Sequence, residues 1–329
     1  MSDIDLGRLD EGLATSLAKG LDDVEDLLRR SLESDFAFVT SASRHLVDAG
    51  GKRFRPLLVL LAAQFGDPER PEVIPSAAVV ELTHLATLYH DDVMDEAQLR
   101  RGAPSANARW DNTVAILTGD FLFARASDLL ADLGPEAVRI QAQTFARLVV
   151  GQIKETVGPA PGDDPVEHYL SVVADKTGSL IATSGRFGAL MSGAPTEVVD
   201  VMTEFGELIG VAFQLADDLL DVSSESHDSG KTPGTDLREG VRTLPVLHAL
   251  GSSDPAGEEL RGLLTGDLSD DLRLGRALDL LRASHAMRVS REDLERQAAA
   301  ARASLAPLPV SPARDALESL CDIVISRSS

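Results

Sequence analysis

The chain has 329 residues, of which 43% are hydrophobic and only 4% aromatic, and its formal net charge is -22. A chain this acidic does not bind nucleic acid through its overall electrostatic field. Its one cysteine, Cys321, excludes an internal disulfide and a site built from several thiolates. The first residues lack a basic and then apolar stretch, and the apolar run at 56–63 is too short to span a membrane. We therefore expect a soluble, cytoplasmic protein.

Apolar residues recur every three or four positions through most of the chain, as in 198–220, and this spacing predicts helices throughout. No segment shows the sustained alternation that is typical of strands. The predicted helices cover 4–32, 36–48, 54–65, 75–97, 105–133, 135–157, 165–191, 195–223, 269–283, 291–305 and 312–325, with a loop at 224–240 and shorter helices elsewhere. We find no internal repeat or linker, so we predict one all-α domain over 1–329.

Two short acidic runs of the form Asp-Asp-x-x-Asp are the first candidates for chemistry. They are Asp91, Asp92 and Asp95, and Asp217, Asp218 and Asp221. Each run lies near the C-terminal end of a predicted helix, where like charges repel and oppose the helix dipole. A hard cation such as Mg²⁺ offsets that cost, because it prefers oxygen ligands and is held by carboxylates together with substrate phosphates. One run alone equally fits a solvated helix end, whereas two runs flanked by apolar residues favour a metal site.

Basic residues could hold an anionic substrate beside such a metal. Lys52, Arg53 and Arg55 follow a glycine pair and precede a predicted helix, an arrangement that suits phosphate, although an ordinary basic loop is the alternative. Arg100 and Arg101 follow the first acidic run, where they compensate its charge, bind phosphate, or do both.

Four further residues are candidates by position alone. His84 lies two helical turns before Asp91, and Gln214 lies three residues before Asp217, so each shares a face with that aspartate. A core histidine and a helix–helix hydrogen bond explain these two equally well. Lys176 and Lys231 are each equally compatible with a surface lysine.

Taken together, these runs resemble the trans-polyprenyl diphosphate synthase family. The resemblance covers roughly 50–250 and includes GGKRFRP at 50–56, ELTHLATLYHDDVMDEAQLRRG at 81–102, AILTGDFL at 115–122, DKTGSLI at 175–181 and FQLADDLLD at 213–221. It implies an orthogonal helical bundle of the isoprenoid synthase type, with a central substrate cavity and a motif-bearing core at about 36–250. It also implies a homodimer.

The resemblance implies a role for each matching residue. The six aspartates would hold Mg²⁺, up to three ions, against an allylic diphosphate, and Lys176 would act with them in catalysis. The residues that would contact the same substrate are Arg100, Lys176, Thr177, Gln214 and Lys231. The residues that would hold isopentenyl diphosphate are Lys52, Arg55, His84 and Arg101.

One position departs from the family pattern. The family often has Gly-Lys-x-Thr after the second acidic run, and this chain has Gly-Val-Arg-Thr at 240–243. The lysine is therefore replaced by Val241, and Arg242 stands one position later, where it would point elsewhere on a helix.

The implied activity is condensation of isopentenyl diphosphate with an allylic prenyl diphosphate. Upstream of Asp91, the residues on its face are Val80, Thr83, Ala86 and Thr87. None is bulky, which leaves about 16 Å of unblocked helix wall and favours a product longer than twenty carbons. A farnesyl or geranylgeranyl diphosphate synthase is the alternative. Three further alternatives are a terpene cyclase, an inactive partner subunit and an acidic scaffold. They explain the second acidic run and the complete set of six aspartates less well. A lipid product would bring transient membrane contact.

Overall fold

The computed structural model describes residues 9–223, 233–254 and 257–326. Its helices are Glu11–Ser31 (α1), Ala37–Asp48 (α2), Phe54–Ala63 (α3), Val73–Met94 (α4), Ala106–Arg109 (α5), Asn112–Leu133 (α6), Pro135–Val157 (α7), Pro165–Val173 (α8), Ser179–Met191 (α9), Thr196–Ser223 (α10), Thr235–Arg238 (α11), Leu244–Gly251 (α12), Glu258–Leu264 (α13), Asp271–Arg282 (α14), His285–Ser304 (α15) and Pro312–Ser326 (α16). A π-helical turn, Ala174–Gly178, joins α8 to α9 and is called the π segment below. Strands Leu99–Arg100 (β1) and Ala103–Pro104 (β2) pair as an antiparallel hairpin. The all-α prediction is confirmed.

The chain divides into two compact units. The first comprises the described residues within 1–146, 180–206 and 307–317, and the second those within 147–179, 207–306 and 318–329. The single domain over 1–329 stays a prediction. None of the described helices is long and apolar enough to cross a bilayer.

In the first unit, α3 and α4 form the centre of the core. Every residue from 56 to 63 in α3 is buried, as is every residue from 76 to 83 in α4. A helix that is apolar all round is stable only when other elements surround it. Accordingly, α4 packs against α1, α3 and α6. Gly188 of α9 allows close approach to α3, because a Cβ there would lie 2.1 Å from the carbonyl oxygen of Val59. This packing fixes the axis of α4 and so the position of the acidic run at its end.

In the second unit, α12 is the central helix and packs against α8, α13, α14 and α15. Its side chains Leu244, Val246 and Ala249 are buried. The end of α10, which carries the second acidic run, is fixed by Arg282 of α14, whose Nε donates to the carbonyl oxygen of Val222 at 2.7 Å. A cation at this point also complements the negative end of the helix dipole.

Three boundaries differ from the predictions for local reasons. The predicted helix 105–133 is two helices, because Asp111 is extended (φ -171°) and its side chain caps α6 by accepting from the amide of Val114 at 2.8 Å. The helix predicted to begin at 291 begins at His285, where Ser284 caps it. The predicted loop 224–240 contains the short helix α11, while 224–232 lie outside the described residues.

Candidate functional site

The first acidic run ends α4, and its three carboxylates lie in different environments. Asp92 is fully buried, and its Oδ1 lies 2.7 Å from Nε and 2.6 Å from Nη2 of Arg100. Its Oδ2 is buried without a hydrogen-bond donor. Asp91 is half-buried and Asp95 is exposed. Burial raises the pKa of Asp92, and the charge of Arg100 opposes the rise. An undonated buried carboxylate oxygen costs about 1–3 kcal/mol, which a bound cation would offset.

A strained turn follows this run directly. Glu96 is left-handed (φ 51°), its amide bonds to the carbonyl of Val93 at 3.4 Å, and the amide of Ala97 bonds to the carbonyl of Asp92 at 2.9 Å. These are the two bonds of a Schellman motif, in which the left-handed residue is usually glycine. A side chain there costs about 1–2 kcal/mol, so the helix is held in a strained ending beside its carboxylates.

The β1–β2 hairpin sends two adjacent arginines in opposite directions. Its turn at 101–102 has positive φ at both residues (56° and 77°), the signature of a type I′ turn. Arg100 ends β1, whereas Arg101 is the first residue of the turn, where its left-handed backbone gives its side chain a different direction. Arg100 therefore reaches Asp92, whereas Arg101 donates to the carbonyl oxygen of Gly50 in the basic loop. The resemblance implied different substrates for the two arginines, and in the structure Arg100 contacts the acidic run while Arg101 contacts the basic loop.

The basic loop before α3 is shaped around Arg101. A Cβ on Gly51 would lie 2.8 Å from the guanidinium carbon of Arg101, so a side chain there would displace the arginine from its present position. Arg53 is left-handed (φ 50°) and buried, which directs its side chain inward. Lys52 is exposed, and Arg55 is half-buried with its Nε lacking a hydrogen-bond partner. Arg55 thus retains a buried donor that a ligand could use.

His84 lies half-buried on α4 near these arginines. Burial, together with the charges of Arg55 and Arg101, lowers its pKa well below the ordinary value of 6.5. The imidazole is therefore neutral at neutral pH. A neutral imidazole binds a phosphate oxygen as a directional hydrogen-bond donor and adds no charge.

In the second unit, Lys176 and Thr177 lie in the π segment and not in regular α-helix. Such turns are frequent at functional sites. Helix α7 holds the segment closely, since a Cβ on Gly151 would lie 2.7 Å from the backbone nitrogen of Lys176. The next turn of α7 adds an ion pair between Lys154 Nζ and Asp175 Oδ2 at 2.8 Å. The position of Lys176 is therefore set by backbone packing and by its neighbour in the chain.

A hydrogen-bonded chain connects the π segment to the second acidic run. Thr177 donates to Gln214 at 3.2 Å, Gln214 donates to Asp218 Oδ1 at 2.9 Å, and Tyr169 donates to Asp218 Oδ2. Asp218 is 4% exposed. Burial raises its pKa to about 7, against the effect of the two donors. Each oxygen of this carboxylate therefore accepts a hydrogen bond from another side chain of the protein.

The remaining residues of the second run have other surroundings. Asp221 accepts from the backbone amides of Thr235 and Asp236, each at 3.2 Å, and so fixes the first turn of α11. Asp217 is half-buried. Lys231 lies outside the described residues.

Each unit therefore gathers part of the predicted set. The first unit brings Arg100 to the first acidic run, and Arg101 to the basic loop that carries Arg55. The second unit brings Thr177 and Gln214 to the second run, while the side chain of Lys176 pairs with Glu155. Among the described residues, no three side chains of His, Cys, Asp or Glu lie close enough to hold a metal ion by themselves. The potential metal ligands are carboxylate oxygens, and one of them, Oδ2 of Asp92, is buried and accepts no hydrogen bond. Such oxygens fit a hard divalent cation that is shared with phosphate.

Three residues that hold this set in place were not predicted from the sequence. Tyr169 bonds Asp218, Glu155 accepts from Lys176 Nζ at 2.5 Å, and Glu81 lies among the arginines of the basic loop. Glu81 had a usable signal, because no other Asp, Glu, Lys or Arg occurs in 73–90 and a buried charge needs a partner. Tyr169 and Glu155 belong to no spacing pattern, and only tertiary packing reveals them.

Comparison with known proteins identifies the family of the chain. The sequence profile of the polyprenyl synthetase family matches residues 37–281. A nonaprenyl diphosphate synthase of Mycobacterium tuberculosis is 52% identical over 325 residues, which cover 98% of this chain and 96% of that protein. The crystal structure of a geranylgeranyl pyrophosphate synthase of Corynebacterium glutamicum, complexed with calcium and isoprenyl diphosphate, has a TM-score of 0.88 at 48% identity, over 97% of this chain and 98% of that one. A decaprenyl diphosphate synthase of Rhodobacter capsulatus has a TM-score of 0.86 at 34% identity, over 97% and 99%.

The chain belongs to the polyprenyl synthetase family. The resemblance seen in the sequence is confirmed, and so is the class of enzyme, a prenyltransferase that synthesises polyprenyl diphosphates.

Proposed function

We propose that the chain condenses isopentenyl diphosphate head to tail with an allylic prenyl diphosphate, in the trans configuration, and that the product exceeds twenty carbons. The single observation that carries the proposal is the pairing of each acidic run with a cationic or donor side chain, Arg100 on Asp92 and Gln214 on Asp218. Carboxylates held in this way beside cations suit the transfer of a group away from diphosphate.

The two substrates use different residues. The allylic diphosphate is bound by Arg100, Lys176, Thr177, Gln214 and Lys231. Isopentenyl diphosphate is bound by Lys52, Arg55, His84 and Arg101. The free buried donor of Arg55 and the neutral imidazole of His84 support the second assignment, because both can donate to phosphate oxygens.

The side chains have little acid–base work to do. The cationic side chains neutralise the departing diphosphate as the allylic C–O bond ionises. The double bond of isopentenyl diphosphate then attacks the allylic carbocation. The released diphosphate accepts the final proton. Mg²⁺, up to three ions, would be held by the six aspartates and would supply Lewis-acid stabilisation of the leaving group. The undonated Oδ2 of Asp92 supports this metal assignment.

The side chains of α4 support a product longer than twenty carbons. Val80, Thr83 and Ala86 are fully buried and Thr87 is half-buried, and none of them is large enough to stop a growing chain near Asp91. The likeness to a nonaprenyl synthase also supports a long product. A geranylgeranyl diphosphate synthase is the second candidate, and the likeness to the enzyme of that kind from Corynebacterium glutamicum favours it.

Two helices support a homodimer. On α6, Ile116 and Leu117 are 43% and 61% exposed, and on α7, Val149, Val150 and Ile153 are 41%, 46% and 55% exposed. Large apolar side chains exposed together on one helix mark an interaction site, and each of these helices presents such a set. We expect a second copy of the chain to cover them, with membrane contact limited to product release.

The test incubates purified protein with Mg²⁺, radiolabelled isopentenyl diphosphate and farnesyl diphosphate, and sizes the dephosphorylated products. A ladder beyond twenty carbons supports the proposal in full. A single twenty-carbon product keeps the reaction and overturns the long-chain assignment. No extension with any allylic starter, from a protein that remains folded, favours an inactive partner subunit. Asp91→Asn should abolish extension, whereas Asp128→Asn, an exposed carboxylate on α6, should leave it intact.

A further inference from the structure

Glu81 is the charged centre of the basic region in the first unit. It lies on α4, ten residues before Asp91, and is 2% exposed. Its carboxylate is 2.8 Å from Arg53 Nη1 and 3.9 Å from Arg101 Nη2. Its attraction also opposes the lowering of the pKa of Arg55 to about 10 that burial causes. One buried carboxylate is thus shared by three guanidinium groups.

The three arginines are not equivalent. Arg53 is fully engaged, with Nε on Glu25, Nη1 on Glu81 and Nη2 on the carbonyl of Val47 at 3.0 Å. This leaves Arg53 no side that faces a ligand, and its 9% exposure agrees with that. Arg53 therefore serves to hold Glu81.

Arg55 and Arg101 are the arginines that remain for a ligand. Arg55 has a buried Nε without a partner. Arg101 donates through Nη1 to the carbonyl oxygens of Leu46 in α2 and Gly50 in the loop. The charge of Arg101 disfavours the charged form of Arg55, the charges of Arg53 and Arg100 disfavour that of Arg101, and Glu81 is the largest attraction that acts on both. Removing it would leave two like charges to separate within a partly buried loop.

We propose that Glu81 is a positioning residue, which holds the guanidinium groups of Arg55 and Arg101 at the spacing that binds the diphosphate of isopentenyl diphosphate, while Arg53 and Glu25 fix Glu81 itself. The inference rests on the proposed function only in taking Arg55 and Arg101 as the residues that bind this substrate.

The opposite role for Glu81 makes an opposite prediction. A carboxylate that merely offsets positive charge weakens the binding of an anion, so its neutralisation would tighten binding. A carboxylate that positions two donors strengthens the binding of an anion, so its neutralisation or displacement would weaken it. The two roles are therefore separated by the sign of one measurement.

The experiment compares Glu81→Gln, which keeps the shape and removes the charge, with Glu81→Asp, which keeps the charge and shortens the side chain. KM is measured for each substrate, and binding of isopentenyl diphosphate alone is measured by calorimetry. Both variants should raise KM and Kd for isopentenyl diphosphate by about tenfold or more and leave the KM of the allylic substrate within about twofold. Glu33→Gln, which removes an exposed ion-pair partner of Arg44, is the matched control and should change neither.

Three outcomes overturn the inference: unchanged or tighter binding in Glu81→Gln, wild-type binding in Glu81→Asp, or an equal rise for both substrates. If Glu81→Gln does not fold, Glu25→Gln tests the same network, because Glu25 pairs with Arg53, which in turn pairs with Glu81. This variant should raise the KM of isopentenyl diphosphate by a smaller factor. Arg55→Gln and Arg101→Gln are run in parallel. If these two leave the KM of isopentenyl diphosphate unchanged, the proposed substrate assignment has failed, and not the positioning role alone.

Discussion

Tyr169 donates a hydrogen bond to one oxygen of Asp218, the carboxylate whose other oxygen is taken by Gln214. The contact joins α8 to the second acidic run within the second unit. Because a buried carboxylate depends on its donors to remain ionised, the phenol hydroxyl helps to decide whether Asp218 carries a charge at neutral pH.

Tyr169→Phe should raise the Mg²⁺ concentration needed for half-maximal activity by about tenfold, because losing the phenol donor raises the pKa of Asp218 further and leaves less of the carboxylate ionised to bind a cation. The measurement is a Mg²⁺ titration of prenyl transfer, with urea unfolding alongside. Tyr89→Phe is the control, because the chain's only other tyrosine also buries its hydroxyl, on the carbonyl of Ala42 at 2.6 Å. That variant should lose stability and keep the wild-type Mg²⁺ dependence. Equal shifts in both variants would contradict the assignment.

The stability of the metal-free protein should depend on pH through Asp218. Its pKa is about 7 in the folded protein and 3.8 ordinarily, so the folded state binds the extra proton between these values. Stability contributed by that proton is present at low pH and is lost as pH rises through about 7. Asp218→Asn cannot ionise, and its stability relative to wild type should increase from about pH 4 to about pH 7 and then level off. A difference that is constant with pH would rule out a raised pKa.

Gly151→Ala should displace the π segment, because the added Cβ would lie 2.7 Å from the backbone nitrogen of Lys176. We expect the KM of the allylic substrate to rise and kcat to fall, with KM for isopentenyl diphosphate unchanged. Gly275→Ala is the matched change, since Gly275 lies inside α14 with no neighbouring atom within 4 Å of the added group. It should stabilise the protein by about 0.5–1 kcal/mol without altering kinetics. Wild-type kinetics in Gly151→Ala would show that the close approach is not needed.

Ala86→Phe should shorten the product if Ala86 faces the growing chain. The residue is fully buried, so a phenylalanine must enter either an open tunnel or filled core. A tunnel tolerates it with little loss of stability, whereas overpacking a core costs about 1–3 kcal/mol. Ala62→Phe is the comparison, because Ala62 is buried where α3 meets Gly188 and should simply destabilise. Unchanged product length in a stable Ala86→Phe protein would show that the tunnel runs elsewhere.

Leu117→Glu should reduce the molar mass measured by light scattering from that of a dimer to that of a monomer. A charge placed in an apolar interface is costly to desolvate. Leu272→Glu serves as control, because Leu272 is 85% exposed on α14, away from α6 in the sequence. An unchanged mass in Leu117→Glu, or a loss of mass in both variants, would contradict the proposed interface.

The long helices and both acidic runs could be predicted because their signals are local. Apolar spacing fixes a helix wherever it persists for several turns, and α7 was predicted with its observed bounds, 135–157. The break between α5 and α6 was not predicted, since apolar residues continue across it and only the capping side chain of Asp111 ends the pattern. The hairpin escaped for a related reason, because two residues per strand are too few for alternation to appear.

Within the candidate site, residue types could be predicted but their environments could not. The sequence does not distinguish Asp92 and Asp218 from the other aspartates of their runs. Both are nevertheless buried, because the second aspartate of each run lies on the inward face of its helix. The roles of Tyr169 and Glu81 depend on contacts with distant segments. Only the packed structure shows that these two hold groups that the sequence identifies.

The two-residue turn between Arg100 and Ala103 has one more consequence. The end of β1 directs Arg100 to the acidic run, and the left-handed first residue of the turn directs Arg101 to the basic loop. Inserting or deleting a single residue there would change the type of turn, so at least one of the two contacts would be lost even with both arginines retained. The length of this short segment therefore links the geometry of the acidic run to that of the basic loop.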